Sequence, residues 1–152
     1  ETTPIHSWIA GSSKNWNQCD YLPYRTTSSA KFVITTRPFE TGNYLTIKLG
    51  TVDHSAAINS NYSDIQLDTN SKTDLIDING NYSNSKITCT SDYAFDINVN
   101  LKYGSFTDNV GLKYSLKSEK NFSKSYTAYH ISQGKSKISI NTNYGSVQLL
   151  TK

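Results

Sequence analysis

The chain has 152 residues, 36% of them hydrophobic and 18% charged, and a formal charge of +3. That length fits one domain, or one domain with an arm, and is enough to bury a core. Ser, Thr and Asn (21, 17 and 15 copies) make up about a third of the chain, whereas Glu occurs three times and Met never. This composition excludes a helical bundle or coiled coil, which lean on strong helix formers. No apolar run approaches the roughly 18 residues that a membrane-spanning helix requires, and 12% aromatic content with eleven Tyr excludes a disordered chain.

In chain order, residues 1–45 hold both Trp, all three Pro and both Arg, with little periodicity before Lys31-Phe32-Val33-Ile34. They read as an irregular cap, edge strand or arm, separate from a domain over 46–152. Trp8, Trp16, Tyr21 and Tyr24 fall here without strand alternation. They are the expected binding candidates, since loop aromatics stack on sugars or insert at protein interfaces; the competing reading is that they plug the end of the domain. The chain starts at Glu1, which reads as a processed or trimmed form.

From residue 43 onward one phrase recurs: Asn43-Tyr44-Leu45, Asn61-Tyr62-Ser63, Asn81-Tyr82-Ser83, Lys102-Tyr103-Gly104 and Asn143-Tyr144-Gly145, with a weaker copy at Asn121-Phe122-Ser123. The aromatics are separated by 18, 20, 21, 19 and 22 residues, a repeat signal. Upstream of each Tyr the apolar residues alternate: Ile76 and Ile78, Ile97 and Val99, Ile138 and Ile140. That is a strand with one buried face, placing Asp77, Asn79, Asn98, Asn100, Ser139 and Asn141 in water. Downstream the parity flips, as at Ile65 and Leu67 or Val147 and Leu149, so each unit reads as strand, corner, strand.

The expected architecture is all-β: a right-handed single-stranded β-solenoid with coils of about 20 residues and a C-terminal capping strand or hairpin. The alternative is an antiparallel β-sandwich of the same strands. Residues 107–136 break the rhythm; their alternation Val110, Leu112, Tyr114, Leu116 fits an end-covering strand or hairpin. The repeat residues Tyr44, Tyr62, Tyr82, Tyr103 and Tyr144 continue the inward alternation, which predicts a buried ladder with hydroxyls at the corner rather than a sugar-stacking surface.

The ordered succession of these units resembles the adhesin-like β-solenoid domains of Bacteroidota, related to the putative auto-transporter adhesin, head GIN domain group. The resemblance covers about residues 50–152. It rests on the strand-Tyr-[Ser/Gly] units, on Tyr93-Ala94-Phe95-Asp96-Ile97-Asn98-Val99-Asn100-Leu101-Lys102-Tyr103-Gly104, and on the close Lys137-Ile138-Ser139-Ile140-Asn141-Thr142-Asn143-Tyr144-Gly145-Ser146-Val147. It implies export to the periplasm, cell surface or exterior, a β-solenoid and an adhesin-like role, and supplies no catalytic residues.

Other chemistry is weakly supported. Asp64, Asp68, Asp74, Asp77, Asp92 and Asp96 crowd the acidic middle third, but they lack the Gly-Asp rhythm of calcium-binding repeats and read as solubilising. His6, His54 and His130 are isolated, and no zinc, nucleotide or nucleophile-elbow motif occurs. Cys19 and Cys89, with no C-x-x-C spacing, read as two free thiols, with a bridge as the alternative. Lys113, Lys117, Lys120, Lys124, Lys135 and Lys137 form a basic, Arg-free stretch that reads as a solvated face, not a nucleic-acid site. Asn61, Asn81 and Asn121 sit in N-x-Ser sequons, read as a by-product of the repeat.

The expected function is therefore a non-enzymatic, exported, adhesin-like domain that binds glycan or protein, with no cofactor or metal. The first alternative is an assembly subunit that pairs with another envelope protein by strand addition. A carbohydrate-active β-helix ranks third, for want of a paired acid.

Overall fold

The computed structural model describes the backbone of residues 5–10 and 31–36 and the whole of 45–152, with side chains from residue 46 onward. All described regular elements are strands: β1 (Ile5–Ala10), β2 (Lys31–Thr36), β3 (Leu45–Val52), β4 (Ser55–Asn61), β5 (Ser63–Thr69), β6 (Leu75–Asn81), β7 (Asn84–Cys89), β8 (Phe95–Lys102), β9 (Ser105–Asp108), β10 (Lys113–Lys120), β11 (Ser123–His130), β12 (Lys137–Asn143) and β13 (Ser146–Thr151). No helix among the described residues is long and apolar enough to cross a membrane.

Two sheets result. The larger runs β1-β2-β4-β6-β12-β8-β11-β10 and the smaller β3-β5-β7-β13-β9. Each strand–corner–strand unit contributes one strand to each sheet, and the inward residues of both sheets merge into one core. Ile58, Ile76, Ile78, Ile97, Val99, Ile138 and Ile140 come from the large sheet, and Ile65, Leu67, Ile87, Val147 and Leu149 from the small one, each at most 1% exposed. Burying an aliphatic side chain of this size contributes about 1.5–3 kcal/mol, which is why period-2 alternation fixes these strands.

The expected solenoid is not what forms. A solenoid stacks its units in chain order, but here β12 pairs parallel with both β6 and β8, and β13 with both β7 and β9. The last unit of the chain thus lies between two earlier ones. Beyond β8, the β10–β11 hairpin adds antiparallel strands to the large sheet only. The arrangement is a mixed, two-sheet, sandwich-like fold, corresponding to the stated alternative, although most of its strand pairs are parallel rather than antiparallel.

The last residue of β9 is an acid. Asp108 ends β9 in register with the fully buried Leu149. Its carboxylate accepts from the backbone N–H groups of Val110 (2.9 Å), Gly111 (3.1 Å) and Leu112 (3.0 Å) and from the Tyr114 hydroxyl (3.0 Å). An acid so engaged with the following loop suits the end of a sheet: β9 is an edge strand of the small sheet, while β8 stays internal to the large sheet between β12 and β11. Residues 110–112, anticipated as strand, form this loop, and Leu112 closes the core there at 8% exposure. A bulge between Tyr114 and Leu116 flips the parity of β10, leaving Leu116 exposed.

Cys89 is fully buried with a free thiol; Cys19 lies outside the described residues. Burial pushes the Cys89 thiol up to about 11, and burial likewise raises the Tyr93 phenol. Both groups are neutral when protonated, so the folded state holds these protons more tightly than the unfolded state. Their stabilisation is complete below the unfolded thiol pKa, near pH 8.5–9, and is lost as pH rises toward the folded values. Urea midpoints are therefore expected to be flat to about pH 8 and to fall between about pH 9 and 11. Cys89→Ala should remove the early part of that fall; midpoints that rise over this range would contradict the assignment.

Candidate functional site

The corner of each unit is built by its Tyr. Tyr62, Tyr82, Tyr103 and Tyr144 have φ of 52°, 54°, 54° and 53°, the left-handed region that non-glycine residues rarely occupy. This conformation corrects the expectation of a buried Tyr ladder. It breaks the alternation at the Tyr, turning the ring outward, and hands the inward place to the next residue. Ser63 and Ser83 fill it at 1% exposure, while Tyr82, Tyr103 and Tyr144 are 41–48% exposed. The Ser63 and Ser83 hydroxyls donate back to the carbonyls of Asn61 and Asn81 (both 3.1 Å), so the first two sequons have their serines committed to the corner.

Backbone bonds tie successive corners together: Tyr62 N–H to Asn81 O (2.9 Å), Tyr82 N–H to Asn143 O (2.7 Å), Tyr144 N–H to Lys102 O (2.7 Å) and Tyr103 N–H to Phe122 O (2.8 Å). The rings follow the same order. Tyr62, Tyr82, Tyr144 and Tyr103 stack with centroids 4.7–4.8 Å apart and planes within 3–6°, and Phe122 continues the column at 4.9 Å. Because each ring face covers the next, the column presents ring edges and hydroxyls to solvent. Phe122, 62% exposed, is its terminal ring.

Beside this column lies the outer face of the large sheet. In-register pairing aligns Asn59, Asn79, Asn141 and Asn100 across β4, β6, β12 and β8, with Ser125 of β11 next in the row. Their side chains form a relay: Asn141 Nδ2 donates to Asn79 Oδ1 (3.1 Å), Asn100 Nδ2 to Asn141 Oδ1 (2.9 Å), and Ser125 Oγ to Asn100 Oδ1 (2.8 Å). An amide offers two N–H donors and two acceptor lone pairs, so Asn141 and Asn100 each retain one outward donor. The neighbouring row is Asn61, Asn81, Asn143 and Lys102. Together the two rows line a shallow groove of about 590 Å³ whose lining contains no carboxylate.

The other expected features are placed as follows. Trp8 falls in β1, whose side chains lie outside the described residues, as do Trp16, Tyr21, Tyr24 and Tyr44. The aspartates are used singly: Asp64 accepts from Asn84 Nδ2 (2.8 Å), Asp96 accepts from Gly134 N–H (2.9 Å), and Asp68 pairs with Lys152 (3.5 Å). No group of three or more His, Cys, Asp or Glu side chains among the described residues is placed to hold a metal ion. His54 meets Asp74 at 3.1 Å, and His130 donates from Nδ1 to the Tyr93 carbonyl (2.6 Å). In the basic stretch, Lys117 pairs with Glu119 (3.5 Å) and lies over Tyr126, and Lys113 lies over Tyr129.

The fold and face define an all-β protein with a flat, amide-rich surface edged by a stacked aromatic column. No family model, no curated protein and no solved structure matches this chain.

Proposed function

We propose that this chain is a non-enzymatic, exported, adhesin-like binding domain whose outer Asn face and Tyr column engage a glycan. The observation that carries the reading is the Asn79–Asn141–Asn100 relay, which holds amide groups in a fixed row while leaving donors directed outward. Sugar hydroxyls both donate and accept, and preorganised amides meet them without the entropic loss of freezing mobile side chains. The groove's freedom from carboxylates favours this class over a cationic ligand and offers no acid pair for glycoside cleavage. The Tyr hydroxyls add contacts along the rim, and Phe122 offers the exposed apolar end on which a sugar ring stacks.

The second reading, an assembly subunit joined by strand addition, needs an unguarded sheet edge, and the edges at β10 and β3 are both guarded. At the hairpin edge, β10 turns Lys117 and Glu119 toward the same side as the buried Tyr126, whose hydroxyl donates to Glu119 Oε1 (2.7 Å). Inward charges and a bulge guard an edge against pairing. The eight-residue β3, at an edge of the small sheet, is guarded in the same way, by a register shift between Lys48 and Thr51 and by the exposed Lys48.

The test is retention of the full chain on a panel of glycans and matrix proteins over a salt series. Saturable glycan binding that persists in high salt is expected. Retention that vanishes with salt would assign binding to the lysines instead, and no retention on any glycan would overturn the reading.

A further inference from the structure

Two segments of this chain carry the same corner. Tyr103-Gly104-Ser105 joins β8 to β9, and Tyr144-Gly145-Ser146 joins β12 to β13; the earlier corners have Ser in place of Gly. The glycines answer a close approach of backbones. A Cβ on Gly145 would fall inside the Ser83 carbonyl oxygen, and a Cβ on Gly104 inside that of Gly145. The β6–β7 corner is thus a seat for a Tyr-Gly-Ser corner, and in the folded chain Gly145 occupies it.

The seat and its far wall share one register. Ile76 aligns with Ile138 and Ile138 with Ile97; Ile78 aligns with Ile140 and Ile140 with Val99. The C-terminal unit therefore fills a slot bounded by β6–β7 and β8–β9, makes parallel ladders on both sides, and is joined to the strands before it through residues 131–136. β8–β9 precedes it in the chain, so the slot's two walls exist before its occupant is made. Nothing in the slot distinguishes the chain's own C-terminal unit from the identical unit of another copy.

We propose that the slot between β6–β7 and β8–β9 accepts Lys137–Thr151 in trans, so that two copies of this chain exchange their C-terminal units to form an interlocked dimer. Exchange of this kind needs an element that inserts as a unit, a loop that joins it to the strands before it and a cradle that recognises it, and all three are present. Because the exchanged unit carries the fully buried Ile138, Ile140, Val147 and Leu149, it is set during folding and does not leave the folded dimer readily.

The experiment refolds the full chain from denaturant over a range of concentrations, alone and with excess synthetic peptide spanning residues 136–152. Size-exclusion chromatography with light scattering reads the products. The expected result is a dimer that grows with refolding concentration and persists on dilution. The peptide should suppress it several-fold while co-eluting with the monomer, and a peptide carrying Gly145→Val should do neither. Monomer at every concentration would overturn the proposal, as would a dimer that forms equally well in the presence of the native-sequence peptide.

Discussion

Replacing Gly145 by valine is expected to destabilise the fold by about 3 kcal/mol or more, at the top of the range for forcing atoms into a closed space. The reason is that the obstructing atom is backbone. The new Cβ meets the carbonyl of Ser83, with Thr142 Oγ1 at 3.1 Å on a third side, and neither a rotamer change nor a small shift clears a main-chain oxygen already fixed in the stack. Displacing this corner also breaks the ring column between Tyr82 and Tyr103, since Tyr144 stands between them. Urea denaturation followed by circular dichroism checks it. Ser105→Val, on an exposed position of the next corner, is the control and should stay within about 0.5 kcal/mol of the parent.

Ile140→Ala should cost about 2–5 kcal/mol, the usual range for truncating a buried isoleucine. Ile140 is fully buried and sits in register between Ile78 and Val99, so both neighbours border the resulting cavity. Stacked parallel strands leave little room for collapse into that space, which places the expected value in the upper half of the range. Leu116→Ala, at a 53% exposed position on β10, should change the midpoint little. Equal effects at the two positions would contradict the assignment of the core.

Much of the local structure was legible from the residues. The alternation through Ile76, Ile78, Ile97, Val99, Ile138 and Ile140 marked the buried face, and Asn79, Asn100 and Asn141 were correctly placed in water. The order of the units was not legible, because a repeat spacing says which segments are equivalent and not which become neighbours. The acid Asp108 comes into register with Leu149 only once the strands are aligned. For the same reason the Asn relay was invisible: Asn141 and Asn100 are 41 positions apart and meet only because the last unit lies beside β8. A signal was nevertheless present in the glycines, since Tyr-Gly at 104 and 145, against Tyr-Ser at 63 and 83, singled out the two corners that stack most closely.

The tyrosines show how period-2 reading fails at a corner. Each Tyr continues the parity of the apolar residues before it, yet a left-handed backbone at that residue reverses where its side chain points. The small residue that follows was the inward one. Binding candidates drawn from the N-terminal aromatics lie outside the described residues, whereas the surface with ordered amides and stacked rings came from positions that alternation marked merely as solvated.

Glycan binding by this outer face is read out residue by residue in a nuclear magnetic resonance titration of the full chain with a glycan retained in the panel. The largest shift changes should fall on the side-chain amides of Asn79, Asn141 and Asn100 and on the rings of Tyr82, Tyr144 and Tyr103. Changes concentrated instead on the opposite sheet, or within residues 1–45, would contradict it.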